Sequence, residues 1–308
     1  MRIGAIGIDS SHLPAFAARI NTLNDAGKTR CRVTSFWNPG VDLRPHAAGT
    51  TESRAVIERW RAETVNAGAV EAGTVEELLR GVDGVMVLSV NGHRHLDLAR
   101  APLHRGMPVF VDKPLTCSIS QALELAGLCE RTGGRCFSAS ALRFAAEVGE
   151  IPRERLGRIT SIEAIGGGER LEGLMAGLWF YGCHTVELVG AIWGGGVERV
   201  RAEHRVELDR VEIEYQDGRT AHLRLERPGG AFGAKLRGTG GEHRFEVEMS
   251  NLYAGLVSAM TKFFEGGPAP VGLTESLEMV MIVEAAHKSM SEAGGWIDLG
   301  DLAERWVG

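Results

Sequence analysis

The sequence has no basic excess. Over 308 residues, 34 Lys and Arg stand against 40 Asp and Glu, a formal net charge of −6. That balance argues against a sequence-independent nucleic-acid binder, which needs a basic face to neutralise phosphates. No apolar run reaches the roughly 18 residues of a membrane-spanning helix, so no membrane partner is expected. The strand pattern of Arg2–Ile8 begins at the second residue, without a signal-peptide apolar core or cleavage site, and this predicts no leader. The five cysteines (Cys31, Cys117, Cys129, Cys136, Cys183) form no C-x-x-C pair. Neither they nor the histidines show zinc spacing, so no metal is expected, and an odd count of unpaired thiols fits the cytoplasm better than a disulfide framework. Neither a Walker loop nor a G-x-S-x-G elbow occurs. Glycine alone is in surplus, at 41 residues or about 13% of the chain, against an average near 7%. It has no G-X-Y period and only 10 prolines accompany it, which excludes a collagen-like chain.

At roughly 150 residues per domain, the length favours two domains. The first third alternates short apolar runs (Arg2–Ile8, Cys31–Trp37, Gly84–Ser89, Val109–Val111, Cys136–Ala139) with helical stretches (Leu13–Leu23, Ser53–Ala67, Val75–Arg80, His95–Arg105, Ser118–Thr132). Thr74 is a candidate N-cap, followed by acidic Glu76 and Glu77. This β-α-β alternation predicts an α/β domain, a doubly wound parallel sheet, over residues 1–140. Past Arg143 the pattern changes to alternating strands at Arg158–Ile165, Val197–Glu207, Asp209–Tyr215, Thr220–Glu226, Gly233–Arg237 and His243–Glu248. Gln216-Asp217-Gly218-Arg219 reads as a hairpin turn. Helices are expected at about Met175–Ile192, Leu252–Phe264 and Thr274–Met290. Residues 141–308 therefore read as an α+β domain on an open, largely antiparallel sheet, with a final helix able to pack back on the first domain. Gly166–Gly168 and Gly194–Gly196 flank the helical segment and read as flexible junctions or ordinary turns.

A dinucleotide site after the first strand wants G-x-G-x-x-G, for a tight turn, backbone approach to pyrophosphate and close helix packing. The six positions here are Gly7-Ile8-Asp9-Ser10-Ser11-His12. The first glycine is present, and Asp9 and His12 replace the other two. An aspartate beside a pyrophosphate is repulsive unless it turns away or caps the helix. Ser10 and Ser11 can still donate hydrogen bonds, and the helix N-terminus still favours an anion. At the end of the second strand, Phe36-Trp37-Asn38-Pro39-Gly40 lacks the carboxylate that often binds ribose. Asn38 can hydrogen-bond a ribose, Trp37 can pack on an adenine or in the core, and Arg44 is either a 2′-phosphate contact or a solvated arginine. NAD and NADP both stay open.

The segment Met107-Pro108-Val109-Phe110-Val111-Asp112-Lys113-Pro114-Leu115-Thr116 resembles the Glu-Lys-Pro signature of the Gfo/Idh/MocA oxidoreductases, the relatives of glucose–fructose oxidoreductase and inositol dehydrogenase. Asn91-Gly92-His93-Arg94-His95 precedes it as in that family. Ala141-Leu142-Arg143-Phe144, Leu156-Gly157-Arg158-Ile159, Gly182-Cys183-His184-Thr185-Val186-Glu187 and Trp296-Ile297-Asp298-Leu299 follow in family order. The resemblance covers essentially the whole chain. It implies a Rossmann domain whose bound nicotinamide faces the second domain, with substrate between them.

It also assigns proton transfer to Lys113 and His184; a partly desolvated lysine can polarise a carbonyl, and imidazole titrates near working pH. Four residues before His184, where the family usually carries an aspartate, stands Phe180. Tyr181 and Glu187 are the supporting candidates. The nucleotide is expected along Gly7, Ile8, Asp9, Ser10, Ser11, His12, Asn38, Ser89, Val90, Asn91, His95, Asp112 and Lys113, with Arg143 at the domain junction. The activity implied is an NAD- or NADP-dependent oxidoreductase acting on a hydroxyl or ketone of a sugar, cyclitol or related polyol, as a homodimer or homotetramer. The lost glycines and aspartate leave two alternatives. One is a redox-neutral lyase or epimerase, with the nicotinamide retained or absent. The other is a non-catalytic sensor or partner subunit.

Overall fold

A computed structural model describes residues 1–40, 54–170 and 173–302; Arg44 and the start of the second expected helix lie outside them. Two compact units result. The first comprises Met1–Cys117, Gln121–Ala139 and Tyr253–Ser276, and the second Ser118–Ser120, Ser140–Leu252 and Leu277–Gly308.

In the first unit, β1 (Arg2–Ile6), β2 (Arg32–Trp37), β3 (Val70–Ala72), β4 (Gly84–Val87), β5 (Val109–Val111) and β6 (Cys136–Ser138) form one sheet in the order β3-β2-β1-β4-β5-β6. Every neighbouring pair is parallel. β4 and β5 are buried along their whole length, as their unbroken apolar runs require of a sheet covered on both faces. Helices α1 (His12–Asp25), α2 (Arg54–Asn66), α3 (Val75–Gly81), α4 (His95–His104) and α5 (Ile119–Thr132) lie between the strands in sequence. Thr74 caps α3, accepting from the Glu77 N–H at 3.1 Å. β3 escapes the sequence pattern because it has three residues, of which Val70 is exposed.

The second unit opens with two single helical turns, α6 (Ala146–Gly149) and α7 (Arg153–Leu156), and β7 (Ile159–Gly167). Helix α8 (Gly182–Trp193) follows, then β8 (Val197–His204), β9 (Leu208–Tyr215), β10 (Thr220–Glu226), β11 (Gly233–Gly238) and β12 (Gly241–Glu246). Between these and the closing α10 (Leu273–Ser291) and β13 (Ile297–Asp298), α9 (Tyr253–Phe264) belongs to the first unit, where Phe263 meets Phe137 edge-on at 4.8 Å. The second sheet runs β12-β11-β7-β10-β9-β8-β13. All pairs are antiparallel except β7 with β10. Alternation sets its two faces: Val211, Ile213, Tyr215, Ala221, Leu223 and Leu225 are buried, while Arg210, His222 and Arg224 are exposed. Gly218, at φ +81°, turns the expected hairpin between β9 and β10.

Two expectations are corrected. The stretch 175–192 does not form one helix: a 3-10 turn at Gly177–Trp179 precedes α8. Gly177 holds φ +64°, and a Cβ there would strike the His287 ring, so the break is built into the packing. Gly166 and Gly167 are not junctions but the last residues of β7. A Cβ on Gly166 would run into Thr185 Oγ1, and one on Gly167 would lie 2.7 Å from Glu169 Oε2 and 3.0 Å from Tyr181. These glycines let α8 lie close on the sheet.

Candidate active site

In a sheet of this order the strand order reverses between the parallel neighbours β1 and β4, and ligands bind at the carboxyl ends of the strands flanking that point. Gly7 follows β1 there with φ +104°, and a Cβ on it would fall 2.6 Å from the Ser89 nitrogen. Only glycine lets the two strand ends approach this closely. Ile8 is buried. Asp9 turns toward the β4 end: Oδ2 accepts from Ser89 Oγ at 3.1 Å and Oδ1 from the Val90 N–H at 3.2 Å. Burial pushes its carboxyl up, opposed by those hydrogen bonds and by the charge of Arg94. Ser10 Oγ donates to the Leu88 carbonyl at 3.2 Å and accepts from the His12 N–H at 3.3 Å, so it ties the start of α1 to the β4 end. Ser11 is the N-cap residue and is exposed.

His12 Nδ1 lies 2.5 Å from Asp112 Oδ2, and its ring packs on Phe16 at 5.2 Å and Tyr253 at 5.4 Å. Burial pushes the Asp112 carboxyl up, but the His12, Lys113 and His95 charges outweigh it and hold it below the usual carboxylate range. Asn91 Oδ1 caps the turn at Gly92–Arg94 by accepting from the His93 N–H at 3.1 Å. His95 is fully buried. Its Nδ1 lies 2.8 Å from the Pro114 carbonyl and its Nε2 2.8 Å from the Ser89 carbonyl, bracing two loops together. Asn38 Oδ1 accepts from the Gly40 N–H at 2.9 Å, and Arg94 donates to the Gly40 and Pro39 carbonyls at 2.7 and 2.9 Å. The cradle fits a dinucleotide: glycine stands where strand ends must touch, the first turn of α1 carries no acidic residue, and the Asp9 carboxylate is bonded to Ser89 and Val90.

Lys113 follows Asp112 at the end of β5, half-buried, with its N–H bonded to Asp112 Oδ1 at 2.9 Å and a cis bond to Pro114. It belongs to the first unit, with all the cofactor candidates except Arg143. His184, Tyr181, Glu187 and Arg143 belong to the second. His184 sits in the first turn of α8, half-buried. Its Nδ1 is 2.7 Å from Ser140 Oγ, and its ring lies edge-on to Tyr181 at 5.7 Å and to Phe232 at 5.9 Å. Tyr181 thus meets His184 through its ring. Glu187 and Arg143 form a buried ion pair with each other, donated by Arg143 Nε.

Sequence reasoning did not single out Ser140, which holds the imidazole from 44 positions away, where an aspartate one helical turn before the histidine was sought and Phe180 found. It also missed Phe232 and Tyr253, which come from distant elements, and it quoted Arg94 without assigning it a role. No local spacing marks such partners.

Residues 3–140 match the family model for the Gfo/Idh/MocA group, described as the oxidoreductase family with an NAD-binding Rossmann fold. A protein of Amycolatopsis mediterranei strain S699, named as a UDP-kanosamine synthase oxidoreductase subunit, is 33% identical over 115 residues. That match covers 36% of this chain and spans 30% of the relative's length. Among solved structures, GenD2 from gentamicin A biosynthesis, in complex with NAD, superposes with a TM-score of 0.77 at 18% identity, covering 97% of this chain and 96% of its own. The apo scyllo-inositol dehydrogenase of Lactobacillus casei gives 0.74 at 13% identity, covering 97% and 98%. At these identities the structures share the fold over both units. Over residues 3–140 the chain is similar to the Gfo/Idh/MocA oxidoreductases and their NAD-binding Rossmann fold.

Proposed function

We propose that the chain is an NAD- or NADP-dependent oxidoreductase that interconverts a hydroxyl and a ketone on a sugar, cyclitol or related polyol. The observation that carries this reading is His184, whose Nδ1 is held by Ser140 at 2.7 Å and whose ring is walled by Tyr181 and Phe232. When bound, the nicotinamide supplies the two-electron acceptor or donor. With Nδ1 directed at Ser140, Nε2 is the atom that takes the proton of the substrate hydroxyl in oxidation and returns it in reduction. Lys113, at the end of β5 in the first unit, is proposed as the second group in proton transfer. Ser140 does the orienting work that an aspartate at position 180 would do, and the Arg143–Glu187 pair fixes α8 beneath the histidine. The names of the relatives, for UDP-kanosamine, gentamicin A and scyllo-inositol, support a polyhydroxylated ring as substrate. A second copy of this chain is proposed to cover the open face of the second sheet, where Arg210, Glu212, Glu214, His222 and Arg224 mix both signs of charge and suit a self-complementary contact.

The test screens NAD(P)-linked turnover on inositols, hexoses and nucleotide sugars. His184→Ala and Lys113→Ala should each lower it about 100- to 10,000-fold, and His184→Ala should leave dinucleotide affinity nearly intact. No binding of any of the four nicotinamide forms would sink the reading in favour of a cofactor-free lyase or isomerase. Undiminished turnover in both variants would remove these residues from the chemistry.

A further inference from the structure

We propose that His12 is a positioning residue for Lys113, acting through the Asp112 carboxylate to fix the turn that presents the lysine for proton transfer. This inference rests on the oxidoreductase reading above and adds a residue to it.

His12 stands where G-x-G-x-x-G has its last glycine, and Asp112 is one methylene shorter than the acid of the Glu-Lys-Pro signature. These two departures meet in one contact, from His12 Nδ1 to Asp112 Oδ2 at 2.5 Å. A carboxylate only accepts, so the imidazole donates. Asp112 is 3% exposed, and its other oxygen, Oδ1, accepts from the Lys113 N–H at 2.9 Å. Both oxygens of a buried carboxylate are thereby committed, one to α1 and one to the backbone of the lysine. The Asp112 main chain is tied as well: its N–H donates to the Val87 carbonyl at 2.9 Å, and its carbonyl accepts from Ser138 Oγ at 3.3 Å. The imidazole is itself held, stacked on Phe16 at 5.2 Å and edge-on to Tyr253 at 5.4 Å, so α1 and α9 fix the ring. On the far side of Lys113, the Pro114 carbonyl lies 2.8 Å from Nδ1 of the buried His95. Lys113 is therefore bracketed by two residues that imidazoles anchor. Glycine at position 12 has no side chain to reach Asp112. Without the imidazole the buried carboxylate is one donor short, and turning to find another releases the Lys113 N–H. A displacement of about 1 Å in a reacting group costs up to about 100-fold in rate.

Three variants separate the hydrogen bond from packing. His12→Phe keeps a ring against Phe16 and Tyr253 and removes the donor. His12→Asn returns a donor at the place of Nδ1, and His12→Gln carries it one bond further out. Reductive methylation of the full chain with formaldehyde and cyanoborohydride, read by peptide mass spectrometry, follows Lys113 beside Lys28, Lys235, Lys262 and Lys288. Lys113 should label about threefold or more faster in the Phe and Gln variants, and near the unaltered rate in the Asn variant, with the other lysines unchanged. On the inositol, hexose or nucleotide sugar that turns over, kcat at saturating dinucleotide should fall about 10- to 100-fold in the Phe and Gln variants. That is the worth of one charge-assisted hydrogen bond, and the Asn variant should stay within about threefold. Unchanged labelling and kcat overturn the proposal. Equal loss in all three variants overturns it too, by assigning His12 to packing. So does an unchanged kcat with a raised KM for the dinucleotide alone, which makes His12 a cofactor contact. Each of these leaves the oxidoreductase reading standing. If the Phe variant does not fold, the two amides carry the comparison, and labelling decides where no substrate turns over. Binding of no nicotinamide dinucleotide by the unaltered chain would instead overturn the oxidoreductase reading, and this proposal with it.

Discussion

At Gly7 the absence of one methyl group decides whether two strand ends can meet. Gly7→Ala puts an L side chain at φ +104° and a carbon 2.6 Å from the Ser89 nitrogen. The backbone conformation alone should cost about 1–3 kcal/mol, and the displaced loop should weaken dinucleotide binding; urea melts and a cofactor titration check both. The Arg143–Glu187 pair makes a second residue-scale case. Both side chains are buried, so Arg143→Met leaves the Glu187 carboxylate without its cation and should cost about 3–5 kcal/mol. The double change with Glu187→Leu should recover most of that loss, which chemical denaturation of the three variants measures. Asp9 shows what one residue's type withholds. Its charge argued against a pyrophosphate neighbour until its bonds to Ser89 and Val90 showed which way it turns.

Two segments carry the argument among the elements. The break before α8 is held by His287, whose Nε2 accepts from the Leu178 N–H at 2.7 Å. Burial first, and then the Arg170 charge, lower the His287 pKa from 6.5 to about 4. Between those values the unfolded chain binds a proton that the folded chain does not. Stability therefore rises with pH across this window: the contribution, about 3 kcal/mol, is fully present above pH 6.5 and lost as the pH falls toward 4. Denaturation midpoints at pH 7 and 4.5 should differ accordingly, and His287→Gln should flatten the difference. Helix α9 is the other segment. It follows the second sheet in the chain but packs in the first unit, where Phe263 is fully buried against Phe137 and under the Arg135 guanidinium. Phe263→Ala should cost about 3–5 kcal/mol, read as a lower denaturation midpoint of the first unit.

At the scale of the whole molecule, the mixed-charge face of the second sheet sets the expected assembly. Surface ion pairs such as Arg199–Glu214 and Arg201–Glu212, both 2.7 Å, are half-buried and weak individually, and salt screens them. If a second copy covers this face, sedimentation should show a multiple of the chain mass at about 0.05 M salt and dissociation toward the single chain near 1 M, where the screening length shrinks from over 10 Å to about 3 Å. A single-chain mass at low salt would remove that partner.

The sequence by itself determined both sheets and most of their strands, because apolar runs of three to seven residues and strict alternation are local patterns that each strand carries alone. It also marked Gly7, Asp112-Lys113-Pro114 and His184, whose residue types and neighbours form recognisable motifs. It misread the segment 175–192 as one helix and Gly166–Gly167 as junctions, since the His287 and Thr185 side chains that occupy the missing Cβ positions come from elsewhere in the chain. Only the tertiary structure decided which way Asp9 turns, that Ser140 rather than an α8 aspartate holds His184, and that Arg94 closes on the loop after β2. Each of these is a hydrogen bond between groups 44 to 80 positions apart. Such bonds exist only once the sheets have brought their strand ends together, and no spacing along the chain encodes them.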